Sequence, residues 1–263
     1  MSLALKPTHA AVKNYYAAPN QVGQLHFNNE AQVSDAFAKL LYTYAEDGTH
    51  RRENITDWAL EQFRARYHDP SITKWDIFHY IYAVLHHPEY RERYAANLRR
   101  ELPRIPFATA QVYPVSSVSP VVKDFDLFSQ LAKAGKRLAE IHVHYEQQPE
   151  DKLTKVEKKG EKLDYRVKKM KLSKDKTTLI YNQFLTLSGI PKETYEYRLG
   201  NRSALEWVID QYQVSTDKRS GITNDPNRLD DPEYILRLIG KVIAVSLETV
   251  EIVPALPPLG LPE

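Results

Sequence analysis

Between Lys152 and Lys176 the chain carries eleven Lys or Arg residues against four Asp or Glu, a local excess of seven positive charges. Ammonium and guanidinium groups at that density neutralise phosphates, and affinity carried this way falls steeply with salt. Lys168, Lys169, Lys171, Lys174 and Lys176 close the tract just before two β-prone runs and are the candidate phosphate contacts. Polar side chains follow in turn and loop contexts: Asn182, Gln183, Arg198, Asn201, Arg202, Lys218, Arg219, Ser220, Asn224 and Arg228. Arg pairs with guanine, and Asn or Gln with adenine, through two hydrogen bonds in the major groove. The chemistry on offer is therefore recognition of a nucleic acid duplex. The plainer readings stand beside it. Lys-rich hairpins are often solvated faces or guards against edge pairing, and any single loop residue serves as readily as a cap, a turn or an ion-pair partner.

Catalytic patterns are missing from the sequence. Transfer of a methyl group to adenine needs a Gly-rich strand-to-helix turn for the donor and an Asn-Pro-Pro-aromatic loop for the flipped base, and the chain has neither. The nearest string, Asn224-Asp225-Pro226-Asn227, has one proline and no aromatic behind it, and reads as a turn. No Gly-x-x-x-x-Gly-Lys-Ser/Thr loop cradles nucleotide phosphates, and no Gly-x-Ser-x-Gly elbow presents a nucleophile. With no cysteine there is no thiolate chemistry and no disulfide framework, which fits a reducing cytoplasmic setting. His142 and His144 would point to different sides of a helix, and His86-His87 falls in a turn, so no metal site is expected, and no cofactor. Trp58, Trp75, Phe78, Tyr80 and Tyr82 could offer a stacking platform for bases, but their helical spacing reads as core.

The elements that must position these groups follow from periodicity. The 263 residues, 42% hydrophobic and 27% charged, have the composition of one large domain or two small ones. The net charge of +2 is too small to argue for a polyanionic partner, so charge distribution has to carry that case. No window approaches a membrane span. Two short helices fit within Met1–Leu41, broken by Pro19 and Gly23. A helix carrying Ala59, Phe63 and Tyr67 stops at Asp69-Pro70. Lys74–Leu85 reads as a buried helix. Tyr90, Tyr94 and Leu98 continue helically to Pro103, and Thr109–Pro120 reads as a connector with a domain boundary near it. Phe128, Leu131, Leu138, Ile141 and Tyr145 mark another helix with a basic outer face. Thr177–Tyr181 and Phe184–Ser188 flank Asn182-Gln183 as a hairpin. Ser203 and Glu206 have capping-box spacing ahead of a helix. Asp217–Pro232 is an ordered loop, and the helix from about Pro232 to Ser246 is apolar enough to lie in the core. The Pro-rich end from Pro254 is expected to fray.

Several strings in the first half resemble the C-terminal region of the Type ISP restriction–modification enzymes. They are Arg51-Arg52-Glu53-Asn54-Ile55-Thr56-Asp57-Trp58-Ala59-Leu60, Lys74-Trp75-Asp76-Ile77-Phe78 with Leu85-His86-His87-Pro88, and Leu102-Pro103-Arg104-Ile105-Pro106-Phe107. Further on, so do Leu179-Ile180-Tyr181-Asn182, Tyr197-Arg198-Leu199-Gly200-Asn201-Arg202-Ser203-Ala204-Leu205-Glu206-Trp207 and Asp217-Lys218-Arg219-Ser220-Gly221-Ile222. In that family one polypeptide carries a nuclease, a helicase-like translocase, a coupler, an adenine-N6 methyltransferase and, last, a target recognition domain; the resemblance is to the last. Residues 1–41, with Lys6-Pro7-Thr8-His9-Ala10-Ala11-Val12-Lys13-Asn14-Tyr15-Tyr16, resemble instead the extreme N-terminus of such proteins, as if the catalytic middle were absent.

The expectation is an α+β protein, an N-terminal helical block followed by a small mixed sheet with packed helices. Its expected divisions are a helical segment at 1–41, a helical support block at 42–110, a DNA target recognition domain at 111–253 and a flexible tail at 254–263. The resemblance implies a non-catalytic specificity module that binds double-stranded DNA. The alternatives are a protein-interaction module docking on a separate DNA methyltransferase subunit, and an inert remnant of a truncated gene.

Overall fold

The structure, a computed structural model, describes residues 3–4, 42–43, 52–110 and 123–261. The expected helices of Met1–Leu41 and most of the Thr109–Pro120 connector lie outside the described residues. The chain divides into two units, residues 1–144 with 251–263, and residues 145–250.

Unit 1 is helical. Among its described residues two short strand pairs, β1 (Leu3–Ala4) with β4 (Arg104–Ile105) and β2 (Tyr42–Thr43) with β3 (Arg52–Glu53), accompany five helices. These are α1 (Asp57–Tyr67), α2 (Lys74–His86), α3 (Pro88–Arg93), α4 (Ala95–Leu98) and α5 (Asp124–Val143). The Thr56 hydroxyl accepts from Ala59 N at the start of α1. Thr73 and Asp76 form a reciprocal capping box on α2, satisfying backbone N–H groups that have no partner within the helix.

An aromatic core joins these helices. Tyr67 stacks on Phe128 at 4.8 Å, and Phe63 meets Tyr80 edge-on at 5.6 Å. Buried phenols need partners, and one segment supplies them. Tyr80 Oη donates to Pro106 O at 2.7 Å and accepts from Ala108 N at 2.8 Å. Tyr90 Oη donates to Arg104 O and Tyr67 Oη to Ala108 O. Helices α2 and α5 approach so closely at Gly135 that an added Cβ would lie 1.9 Å from the His79 carbonyl oxygen.

Two expectations change here. Helix α5 belongs with unit 1 rather than with the recognition part, because Leu127, Phe128 and Leu131 are buried in the same cluster as Phe63 and Tyr80. The C-terminal segment does not fray. Leu256, Leu259 and Leu261 are buried in that cluster, while Leu259 O accepts from Thr109 N and Pro257 O bonds the His87 ring. The periodic prolines hid a row of leucines worth about 1.5–3 kcal/mol each when fully buried.

Unit 2 carries a four-stranded sheet in the order β5 (Thr154–Glu157), β8 (Leu185–Ser188), β7 (Thr178–Ile180), β6 (Lys171–Leu172). Every pairing is antiparallel, where a mixed sheet was expected. The links from β6 to β7 and from β7 to β8 are too short for a parallel crossover, which needs about a dozen residues or more. Leu179 and Leu187 pair directly and are fully buried. They share a core with Val167, Tyr181, Leu205 of α6 (Ala204–Gln211) and Ile235, Leu238, Ile239 and Val242 of α7 (Tyr234–Ile252). Before α6, β9 (Arg198–Leu199) and β10 (Arg202–Ser203) form a tight hairpin. The expected Asp217–Pro232 loop begins with another, β11 (Ser215–Thr216) against β12 (Thr223–Asn224).

Candidate nucleic-acid interface

The segment Asp164–Lys168 is the hub on which the basic surface of unit 2 is assembled. From one side, Asn182 Nδ2 donates to the carbonyls of Asp164 (2.6 Å) and Arg166 (3.1 Å), while its Oδ1 accepts from Phe184 N and Leu185 N, both at 2.9 Å. A primary amide has two donors and two acceptor lone pairs, so Asn182 holds the β7–β8 turn with its whole capacity. Gln183, beside it, is exposed. From another side, the Asn227 amide pairs with both backbone groups of Val167, accepting at 2.7 Å and donating at 2.8 Å. Val214 N donates to Lys168 O at 3.1 Å, and Arg166 forms an ion pair with Asp225. Both ends of the β11–β12 hairpin are thereby bolted to the backbone that carries Lys168 and Lys169.

The hairpin tip is pre-shaped by Asp217. Its Oδ1 accepts from Ser220 N at 2.6 Å, Arg219 N at 2.9 Å and Ser220 Oγ at 2.9 Å. The bonds from Ser220, then that from Arg219, hold the Asp217 carboxyl below the usual carboxylate range. Gly221 at φ +70° makes the return, a conformation that costs glycine little. Ser215 to Asp225 are all exposed. Ser220 is thus a turn residue, while Lys218 and Arg219 are left facing solvent.

The candidate cations fall into two groups. Lys168, Lys169, Lys171, Lys174, Lys218 and Arg219 are exposed and have no carboxylate partner among the described residues. Lys176, with φ +59°, pairs with Glu206 at 2.7 Å and lies over the Tyr195 ring. Arg202 pairs with Asp210 at 2.7 Å and lies over Trp207. Arg198 donates to Asn201 O across the β9–β10 turn, leaving Asn201 exposed. Arg228 stacks on Tyr234 at 3.3 Å. Asn224 closes the β11–β12 ladder opposite Ser215 and is exposed. Sequence reasoning missed Asn227, Asp217 and Asp225, which build this surface without displaying it. An Asx residue placed before a turn was the available signal.

Among the described residues no three His, Cys, Asp or Glu side chains lie together as a metal site, and no helix is long and apolar enough to cross a membrane. His86 and His142, expected in unrelated positions, meet inside unit 1. Their rings lie 5.5 Å apart, with Tyr82 Oη 2.8 Å from His142 Nδ1.

A family model described as the Type ISP C-terminal specificity domain matches residues 8–238. It starts inside the segment that resembles the N-terminal end of such enzymes, so likeness to the specificity domain extends across most of that segment. Among solved structures, a nuclease-deletion mutant of the Type ISP restriction–modification enzyme LlaGI in complex with a DNA substrate mimic is 39% identical, at TM-score 0.64, over 85% of this chain and 18% of that one. The ATP-dependent Type ISP enzyme LlaBIII bound to DNA is 34% identical, at TM-score 0.67, over 84% of this chain and 14% of that one. A DrdV–DNA complex is 35% identical, at TM-score 0.65, over 82% and 21%. The chain thus spans less than a quarter of the length of these relatives. No curated protein matches.

Proposed function

The chain belongs to the Type ISP C-terminal specificity domain family, and on that membership we propose that unit 2 recognises double-stranded DNA without performing chemistry on it. The observation that carries this reading is the unpaired cation set Lys168, Lys169, Lys171, Lys174, Lys218 and Arg219, of which Lys168 and Lys169 continue the hub segment and Lys218 and Arg219 sit on the hairpin bonded to it. In the same unit Lys158, Arg166, Lys176, Arg202 and Arg237 meet carboxylates, while Lys152, Lys155, Lys159, Lys162 and Lys192 are further exposed cations with no carboxylate partner among the described residues. Lysines left without partners keep their charge for a polyanion, and their yield on binding is released counterions.

Roles divide by neighbourhood. Lys168, Lys169, Lys171 and Lys174 serve the phosphate backbone. Gln183, Asn201, Asn224, Lys218 and Arg219 occupy exposed turns or strand ends from which base edges can be reached. Lys176, Arg198, Arg202, Asn182 and Ser220 act as framework and reach DNA only if their present bonds open. The named relatives are seen with DNA, which supports a recognition role. The proposed partner for chemistry is a DNA methyltransferase, since a specificity domain supplies none of its own.

Fluorescence anisotropy with a labelled duplex at low ionic strength tests the reading. Saturable binding that weakens as salt rises is the expected result. A flat titration would remove the reading and leave the protein as a docking module for a methyltransferase, recognisable by co-purification that survives nuclease treatment.

A further inference from the structure

We infer that the β11–β12 hairpin is a ribbon that enters the major groove, with Ile222 and Asn224 reading bases two steps apart. This rests on the DNA-recognition reading and goes further by naming the element, the groove and a residue type no charge argument selects. Directly paired residues of an antiparallel ribbon share a face. Thr216 pairs with Thr223, their hydroxyls 2.8 Å apart on one face. Ser215 pairs with Asn224 on the other. The ladder continues as Asp217 N donates to Ile222 O at 2.9 Å, and alternation along the strand puts Ile222 on the Asn224 face.

Ile222 is 70% exposed, its neighbours Lys218 and Arg219 are cations without partners, and Asp217, which shares its face, has Oδ1 engaged by Arg219 N, Ser220 N and Ser220 Oγ, so the cations outnumber the one carboxylate beside it. An aliphatic side chain has one attractive target on a base edge, the thymine methyl, which lies in the major groove. Asn224 has the two-point match to adenine N6 and N7 in the same groove. Residues two apart on a strand are about 6.6–6.8 Å apart, close to two base-pair steps of about 3.4 Å each. The major groove, about 12 Å wide, admits a two-stranded ribbon in undistorted DNA, whereas the minor groove, about 6 Å wide, takes one only when the duplex is deformed. Rigidity comes from the Asp217 turn and from the Asn227 and Val214 anchors, so little ordering remains for binding to supply.

The test is selection from a pool of randomised duplexes by the full chain, followed by sequencing of the retained DNA. The unaltered protein should enrich a motif. Asn224→Ala should lower discrimination at one adenine position about tenfold, and Ile222→Ala should relax a thymine preference two positions away. Thr223→Ala, on the opposite face, should leave the motif as it was. All three residues are solvent-exposed, and circular dichroism melts should coincide. The inference is overturned if both variants retain the original motif, if the relaxed positions are not two steps apart, or if Thr223→Ala relaxes the motif equally. Retention of DNA without any motif also overturns it while leaving the recognition surface standing, whereas no retention at all removes both.

Discussion

In unit 1 the hydroxyls of Tyr67, Tyr80 and Tyr90 are turned inward and bonded to one backbone segment, Arg104–Ala108, and two histidines meet in its interior. In unit 2 Lys168, Lys169, Lys171, Lys174, Lys218 and Arg219 are among the cations that stand in solvent without carboxylates, and the backbone that carries Lys168 is clamped by Asn182 and Asn227. The first arrangement converts polar groups into fold, because each buried phenol left unbonded would cost about 1–3 kcal/mol. The second keeps polar groups out of the fold's accounts, because exposed lysines contribute little to stability whether paired or not. Changes in unit 1 should therefore be read in melting temperature, and changes on the unit 2 surface in binding.

The largest expected effect breaks the packing of unit 1. Gly135→Val places side-chain atoms against the His79 carbonyl and should destabilise the protein by about 3 kcal/mol, read by thermal or denaturant unfolding; a melt matching the unaltered protein would mean that α2 and α5 are not so close. Next comes acid. Burial, reinforced by the neighbouring His86, pulls His142 down to about 3, and burial lowers His86 as well. The unfolded chain then binds more protons than the folded one between about pH 6.5 and that value. Stability is complete above about pH 6.5 and is lost as pH falls below it, by about 2 kcal/mol from His142 alone near pH 5. Unfolding curves that do not change between these two values would contradict the buried neutral imidazole.

A smaller effect sharpens the comparison from the other side. Asn227→Ala removes both bonds to Val167 and should cost about 1–2 kcal/mol, with amide exchange accelerating across Ser215–Asn224 more than in unit 1. Uniform acceleration would show that the hairpin is not anchored there.

Much of this architecture could be read locally. The capping box at Ser203, the hairpin around Asn182-Gln183 and the apolar run of α7 are short-range patterns, and the structure reproduces them. What escaped depends on partners far away in sequence. Asn182 was a base-reading candidate until the carbonyls of Asp164 and Arg166 consumed its amide. Arg202 and Lys176 looked free until Asp210 and Glu206 came beside them. The β11–β12 strands have only two residues each, all polar and exposed, so no alternation marked them. Leu256, Leu259 and Leu261 sit among prolines that signal an end, and only the unit 1 core explains their burial.

The central claim is that Lys168, Lys169 and Lys171 face DNA phosphates. It is tested most directly by duplex affinity measured as a function of salt for the unaltered protein, for Lys168→Ala/Lys169→Ala/Lys171→Ala, and for Lys158→Ala, whose lysine already pairs with Glu161. The slope of log affinity against log salt should shrink by about 1 for each of the three lysines removed and stay unchanged for Lys158→Ala. A triple variant with the original slope, or a Lys158→Ala variant with an equal loss per lysine, would contradict the account.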